Sequence, residues 1–183
     1  MWPNRNRTIA PSEECIARGA KYCSQIDRGA AAHSGVVLNE QGVIRWRYGT
    51  HPDLPRRAPG NPLKKPDFIV MDADGMPELV IRRASFFPSI FHILEADKIV
   101  GRVRMLSILR NKYMIEIDGA DSLTFRMPLF TMRFWGGSPM GAAIWVTVGP
   151  SKMEWNILIK PGINDRYLVP ALAFIHNKWW NYS

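Results

Sequence analysis

The stretch FHILEADKIVGRVRM, Phe91 to Met105, decides the fold. Two β-rich runs flank the acidic turn Glu95 to Asp97, and Val, Ile and Phe recur at alternating positions, which is the pattern of a β-hairpin. Three other stretches follow the same plan: FIVMDADGMPELVIRR from Phe68, YMIEIDGADSLTFRM from Tyr113 and MRFWGGSPMGAAIWVTV from Met132. Each carries Asp, Gly or Pro in its turn, and the units recur at roughly 20 residues, a spacing of arrays, propellers and barrels. So few units at an uneven period favour one closed antiparallel sheet. The four hairpins give eight strands and WNILIK, Trp155 to Lys160, a ninth before the Pro161-Gly162 turn.

Working outward, GVVLNEQGVIRWRYG from Gly35 alternates apolar residues on both sides of Asn39 to Gly42, so residues 35–50 form a further hairpin of the same barrel. Eleven strands are placed in this way. Residues 51–66, HPDLPRRAPGNPLKKP, hold five prolines and four basic residues against Asp53, which excludes helix and central strand and leaves a basic connector. Residues 1–34 read as a tail or a short helix, with Ser12 as N-cap and Glu13 and Glu14 in the first turn. At the other end Asn164 and Asp165 can cap a helix over about 165–180 that is apolar on almost every side. Such a helix must be buried on every side, and the barrel lumen is its place. Pro170 falls late for a helix begun at Arg166, so the expected start is nearer Leu168, with Pro170 in the first turn.

With these pieces on the page, the chain resembles the tubby-like superfamily, in particular its phospholipid scramblase and LURP-one-related branch. The resemblance covers about Asp67 to Trp180. Ile99, Val100, Gly101, Arg102 and Val103 stand on the branch's pattern of an aromatic strand, a short acidic turn and Val-Gly-Arg-Val. It implies a twelve-stranded antiparallel barrel, mainly β, wrapped around a buried C-terminal apolar helix such as YLVPALAFIHNKWW. It also makes anionic phospholipid headgroups the expected ligand. The Pro-rich connector departs from the pattern. The branch's acidic calcium segment before the terminal helix is absent too, since KPGINDRY carries only Asp165.

Composition sets the outer bounds. The chain has 183 residues, 46% hydrophobic and 22% charged, enough for one domain with a real core and unlike a disordered polymer. Its formal net charge of +8 favours anionic partners. Residues 1–66 hold 11 basic and 5 acidic residues and residues 67–183 hold 13 and 11, so most of the excess lies upstream, where an anionic membrane would attract it. Nucleic acid is the weaker partner, because no stacking platform or recognition helix accompanies that charge. No apolar run follows Arg5 and Arg7, so no signal peptide is expected, and YLVPALAFI is far short of the about 20 residues that cross a bilayer. The expected location is cytoplasmic, peripheral at the membrane. Cys15 and Cys23 have no metal or disulfide spacing and read as reduced thiols.

The residues offer little catalytic chemistry. His33, His51, His92 and His176 are scattered, and no G-x-S-x-G elbow, phosphate loop or dinucleotide fingerprint occurs. Asp72-Ala73-Asp74-Gly75 evokes a calcium loop, but the places that need Gly and Glu hold Pro77 and Arg83, so it reads as a turn. GGSPMG, Gly136 to Gly141, joins two strands and is likewise a turn. No catalytic residue, metal or cofactor is expected. The candidate site is cationic: Arg82, Arg83, Arg102, Arg104, Arg110 and Lys112 fall on adjoining strand ends and would gather on one barrel face for lipid phosphates. The expected function is non-enzymatic binding of anionic phospholipid. The alternatives are scramblase-type lipid translocation and a protein-interaction scaffold with a protein partner.

Overall fold

The computed structural model describes residues 10–27, 34–50, 67–107, 111–127, 132–151 and 153–180. The connector 51–66 and Arg110 lie outside them. A short helix α1 (Glu13–Arg18) leads into β1 (Ala20–Ile26), β2 (Gly35–Asn39), β3 (Ile44–Thr50), β4 (Phe68–Met71), β5 (Pro77–Ser85) and β6 (Ser89–Glu95). The chain continues through β7 (Lys98–Ser107), β8 (Lys112–Ile117), β9 (Leu123–Arg126), β10 (Arg133–Ser138), β11 (Gly141–Val148), β12 (Glu154–Ile159) and α2 (Asp165–Trp180). Each strand pairs antiparallel with its sequence neighbour, and β1 pairs with β12, closing a twelve-stranded barrel. Closure leaves no strand edge exposed for pairing with another chain.

Local chemistry sets the register. Glu95 pairs with Lys98 across a two-residue turn in which Ala96 and Asp97 have φ of +46° and +64°, the left-handed pair whose twist matches the flanking strands. Four residues on, a Cβ at Gly101 would stand 2.7 Å from the Glu116 carbonyl oxygen, so only glycine lets β8 approach β7 there. In the first hairpin of the regular series, Asp72 Oδ1 accepts from the Asp74 and Met76 amides at 3.0 and 2.8 Å. Its carboxylate is spent on its own turn. GGSPMG ends β10, turns and begins β11.

All eleven strands expected from the sequence are present, and the twelfth lies where a tail or short helix was expected. α1 is that helix: Ser12 Oγ accepts from the Cys15 amide at 3.2 Å. Beyond Gly19 the chain becomes β1, whose Tyr22, Ser24 and Ile26 point inward, and which joins β2 to β12. The start of α2 also differs from expectation. It begins at Asp165, with Asn164 Oδ1 accepting from the Arg166 amide at 3.1 Å, so Pro170 lies inside the helix rather than in its first turn. Burial of the whole helix outweighs the one backbone bond that proline cannot donate.

The lumen holds α2. Leu168, Val169, Ala171, Leu172, Ala173 and Ile175 are each at most 1% exposed. Wall contacts come from all around: Phe174 packs on Phe68 of β4 and Phe91 of β6, and His176 stacks on Trp155 of β12 at 4.4 Å. A helix facing wall on every side has no use for a polar face. At its start Asp165 accepts from the Tyr22 hydroxyl, and Tyr167 donates to Glu95 at 2.8 Å. The barrel therefore has an N rim, where α2 begins, and a C rim, where α2 ends.

Candidate functional site

A strand sends successive side chains to opposite faces, so Arg82 and Arg83 cannot share one. Arg82 faces outward in a row with His92, Arg102 and Glu116, paired across β5, β6, β7 and β8. Arg104, two residues beyond Arg102, faces the same way, and Lys112 lies across from Arg126 of β9. Arg82, Arg102, Arg104 and Lys112 thus share the outer face of β5–β8. Arg83 does not join them. Following Leu79 and Ile81, it points into the barrel mouth at the C rim, with its guanidinium 4.3 Å from the Phe86 ring centroid and 5.1 Å from that of Phe91.

Carboxylates already engage part of the outer face. Arg82 holds Asp67 through two contacts, Nη2 at 2.8 Å and Nε at 2.9 Å, and this hydrogen bond raises the arginine's pKa above its ordinary value. Arg104 lies 3.8 Å from Glu116. Arg102 stands opposite Glu116 and makes no ion pair among the described residues. Exposed pairs of this kind contribute about 0–1 kcal/mol, so they do not bar an incoming phosphate.

The mouth at the C rim is a second cationic place that the sequence reading missed. Lys178 Nζ, in the last turn of α2, sits 3.9 Å over the Phe91 ring, so Phe91 lies against both Arg83 and Lys178. Arg83 Nε is buried there without an acceptor among the described residues. The C rim also carries Lys112, Arg126 and Arg133 at strand ends, against Asp27, Asp67 and Glu154. Two of those acids accept from neighbours, Asp27 from Ser34 Oγ at 3.0 Å and Glu154 from Asn156 at 3.2 Å, while Asp67 is held by Arg82. Opposite charge collects at the N rim, whose turns hold Glu40, Asp72, Asp74, Asp97, Asp118 and Asp121, with Lys21, Arg47, Lys98, Lys160 and Arg166 among them. Arg166 pairs with Glu95. The signal available in sequence was strand parity for Arg83 and the position of Lys178 at the end of an apolar helix.

Other constellations resolve into packing. His176 Nδ1 lies 3.0 Å from Ser24 Oγ, which lies 3.3 Å from the Tyr48 hydroxyl, and Tyr48 donates to the Gln25 carbonyl at 3.0 Å. Ser24 and His176 are both 0% exposed, so these hydrogen bonds satisfy buried polar groups of the core. A groove of about 560 Å³ runs over Trp135, Trp145 and Leu158 on the opposite side of the barrel from the cationic strands. Among the described residues no three His, Cys, Asp or Glu side chains form a metal-binding group, and no helix is long and apolar enough to cross a membrane.

No family model and no curated protein matches the chain. The fold does have a solved counterpart. An X-ray structure of a protein from Arabidopsis thaliana superposes with a TM-score of 0.58 at 8% sequence identity, over 88% of this chain and 93% of that one. At that identity the likeness concerns the barrel and its helix alone.

Proposed function

We propose that this chain is a non-enzymatic barrel of the tubby-like type that binds anionic phospholipid headgroups and sits peripherally on a membrane. The observation that carries the reading is the segregation of charge along the barrel axis: cations at the C rim and on the outer face of β5–β8, carboxylates in the N-rim turns. A barrel polarised in this way meets an anionic surface in one orientation. Each basic residue near such a surface contributes about 1 kcal/mol. Arg102 and Arg104, side by side on β7, supply the outer-face contact, and their guanidinium forks suit phosphate oxygens.

Replacing both residues, Arg102→Ala with Arg104→Ala, tests the reading in titrations with phosphatidylcholine–phosphatidylserine vesicles. Removing two contacts should weaken binding by about 2 kcal/mol, more than tenfold. Arg18→Ala on α1, an exposed charge already paired with Glu14, should leave it unchanged. Equal losses in the two proteins would reduce the reading to nonspecific charge.

A further inference from the structure

The turn between β5 and β6 adds no side chain to the buried core of the described residues. Phe87 is 87% exposed and its neighbour Phe86 39%, and Pro88 follows them in the open. Two adjacent aromatic side chains at the tip of a turn cost solubility and bring this domain no core. Their surroundings are specific. Arg83 lies under Phe86 at 4.3 Å, and Lys178 and Arg83 meet the Phe91 ring just inside the mouth. Leu106 and Met132, each 41% exposed, stand at strand ends on the same rim, and Lys112, Arg126 and Arg133 lie beside them.

The opposite rim provides the contrast. Val43, Met76 and Met140 are 59%, 65% and 87% exposed there, but they are single aliphatic or thioether side chains in the rim that carries Asp72, Asp74, Asp118 and Asp121. An anionic bilayer repels that rim and attracts the other. Among the described residues only the C rim thus joins an exposed aromatic pair to positive charge, the combination that seats an amphipathic element at the headgroup boundary.

We propose that the Phe86–Phe87–Pro88 turn penetrates the headgroup region of an anionic membrane, so that the barrel docks C rim first, tilted toward the outer face of β5–β8 that carries Arg102 and Arg104, with the N rim facing the aqueous phase. This rests on the lipid-binding reading above and adds the orientation and the apolar anchor. The cations at the rim provide attraction that salt screens, and Phe87 provides an apolar term that salt does not screen.

The experiment compares the full chain with its Phe87→Ala and Met140→Ala variants on phosphatidylcholine–phosphatidylserine vesicles over a series of salt concentrations. Phe87 and Met140 are equally exposed, so both variants should melt as the parent does. Phe87→Ala is expected to bind about tenfold more weakly at every salt concentration, with the parent's salt dependence retained. Met140→Ala is expected to bind as the parent. Unchanged binding by Phe87→Ala, or an equal loss in Met140→Ala, overturns docking through the C rim while leaving the lipid reading intact. Failure of the parent chain to bind these vesicles overturns both.

Discussion

Cys23 projects from the outer face of β1 beside Glu154 and Gln25. Burial, then the negative charge of Glu154, pushes its thiol pKa from an ordinary value near 9 up to about 11. The fold therefore favours the neutral thiol. That contribution to stability is complete below pH 9 and is lost as pH rises toward 11, and Cys23→Ser should remove this part of the pH dependence. Because the thiolate is the nucleophile, iodoacetamide should alkylate Cys23 in the folded chain roughly a hundredfold more slowly than in the unfolded chain at pH near 8. Mass spectrometry of the adduct reads this directly, and equal rates would contradict the assigned environment. At the same scale, Arg82 and Arg83 mark a limit of sequence reading. Their adjacency suggested one patch, yet alternation sends one to the outer face and the other to the mouth, and the parity set by the buried Leu79 and Ile81 says which goes where.

Among the elements, α2 was the most legible, because a segment apolar on every side has few places to go. Its start was misjudged at Pro170. Proline's cost is a local preference of about 3 kcal/mol, and burial of the surrounding leucine, valine and phenylalanine side chains outweighs it. Leu172, 0% exposed at the centre of the lumen, tests the packing: Leu172→Ala should destabilise the barrel by about 2–5 kcal/mol in chemical unfolding. A loss under about 1 kcal/mol would mean that the lumen is loosely filled. β1 was illegible for the opposite reason. AKYCSQI lacks a clean apolar alternation, places the polar Ser24 inward, and takes β12 as one of its partners from the far end of the chain. Ser24 is tolerated there because His176 and Tyr48 satisfy its hydroxyl, a compensation that no local pattern carries.

For the whole molecule, the net charge of +8 favours an anionic partner but gives no place for one. The place comes from topology. Antiparallel strands put alternate turns at opposite ends, so acidic turns such as Asp72–Gly75 and Asp118–Gly119 gather on one rim, and strand ends bearing Arg126, Arg133 and Lys112 gather on the other. Sequence spacing alone cannot reveal this sorting, because it depends on which turns alternate once the barrel closes. The same sorting brings the exposed Phe86 and Phe87 beside Arg83 and Lys178. The central claim is that this polarity serves an anionic membrane. Co-sedimentation of the full chain with neutral and anionic vesicles, at low and at physiological salt, tests it most directly. The account predicts binding to phosphatidylcholine–phosphatidylserine vesicles that weakens but persists at physiological salt, and none to phosphatidylcholine alone. Binding that vanishes at physiological salt, or does not distinguish the two vesicles, would contradict it.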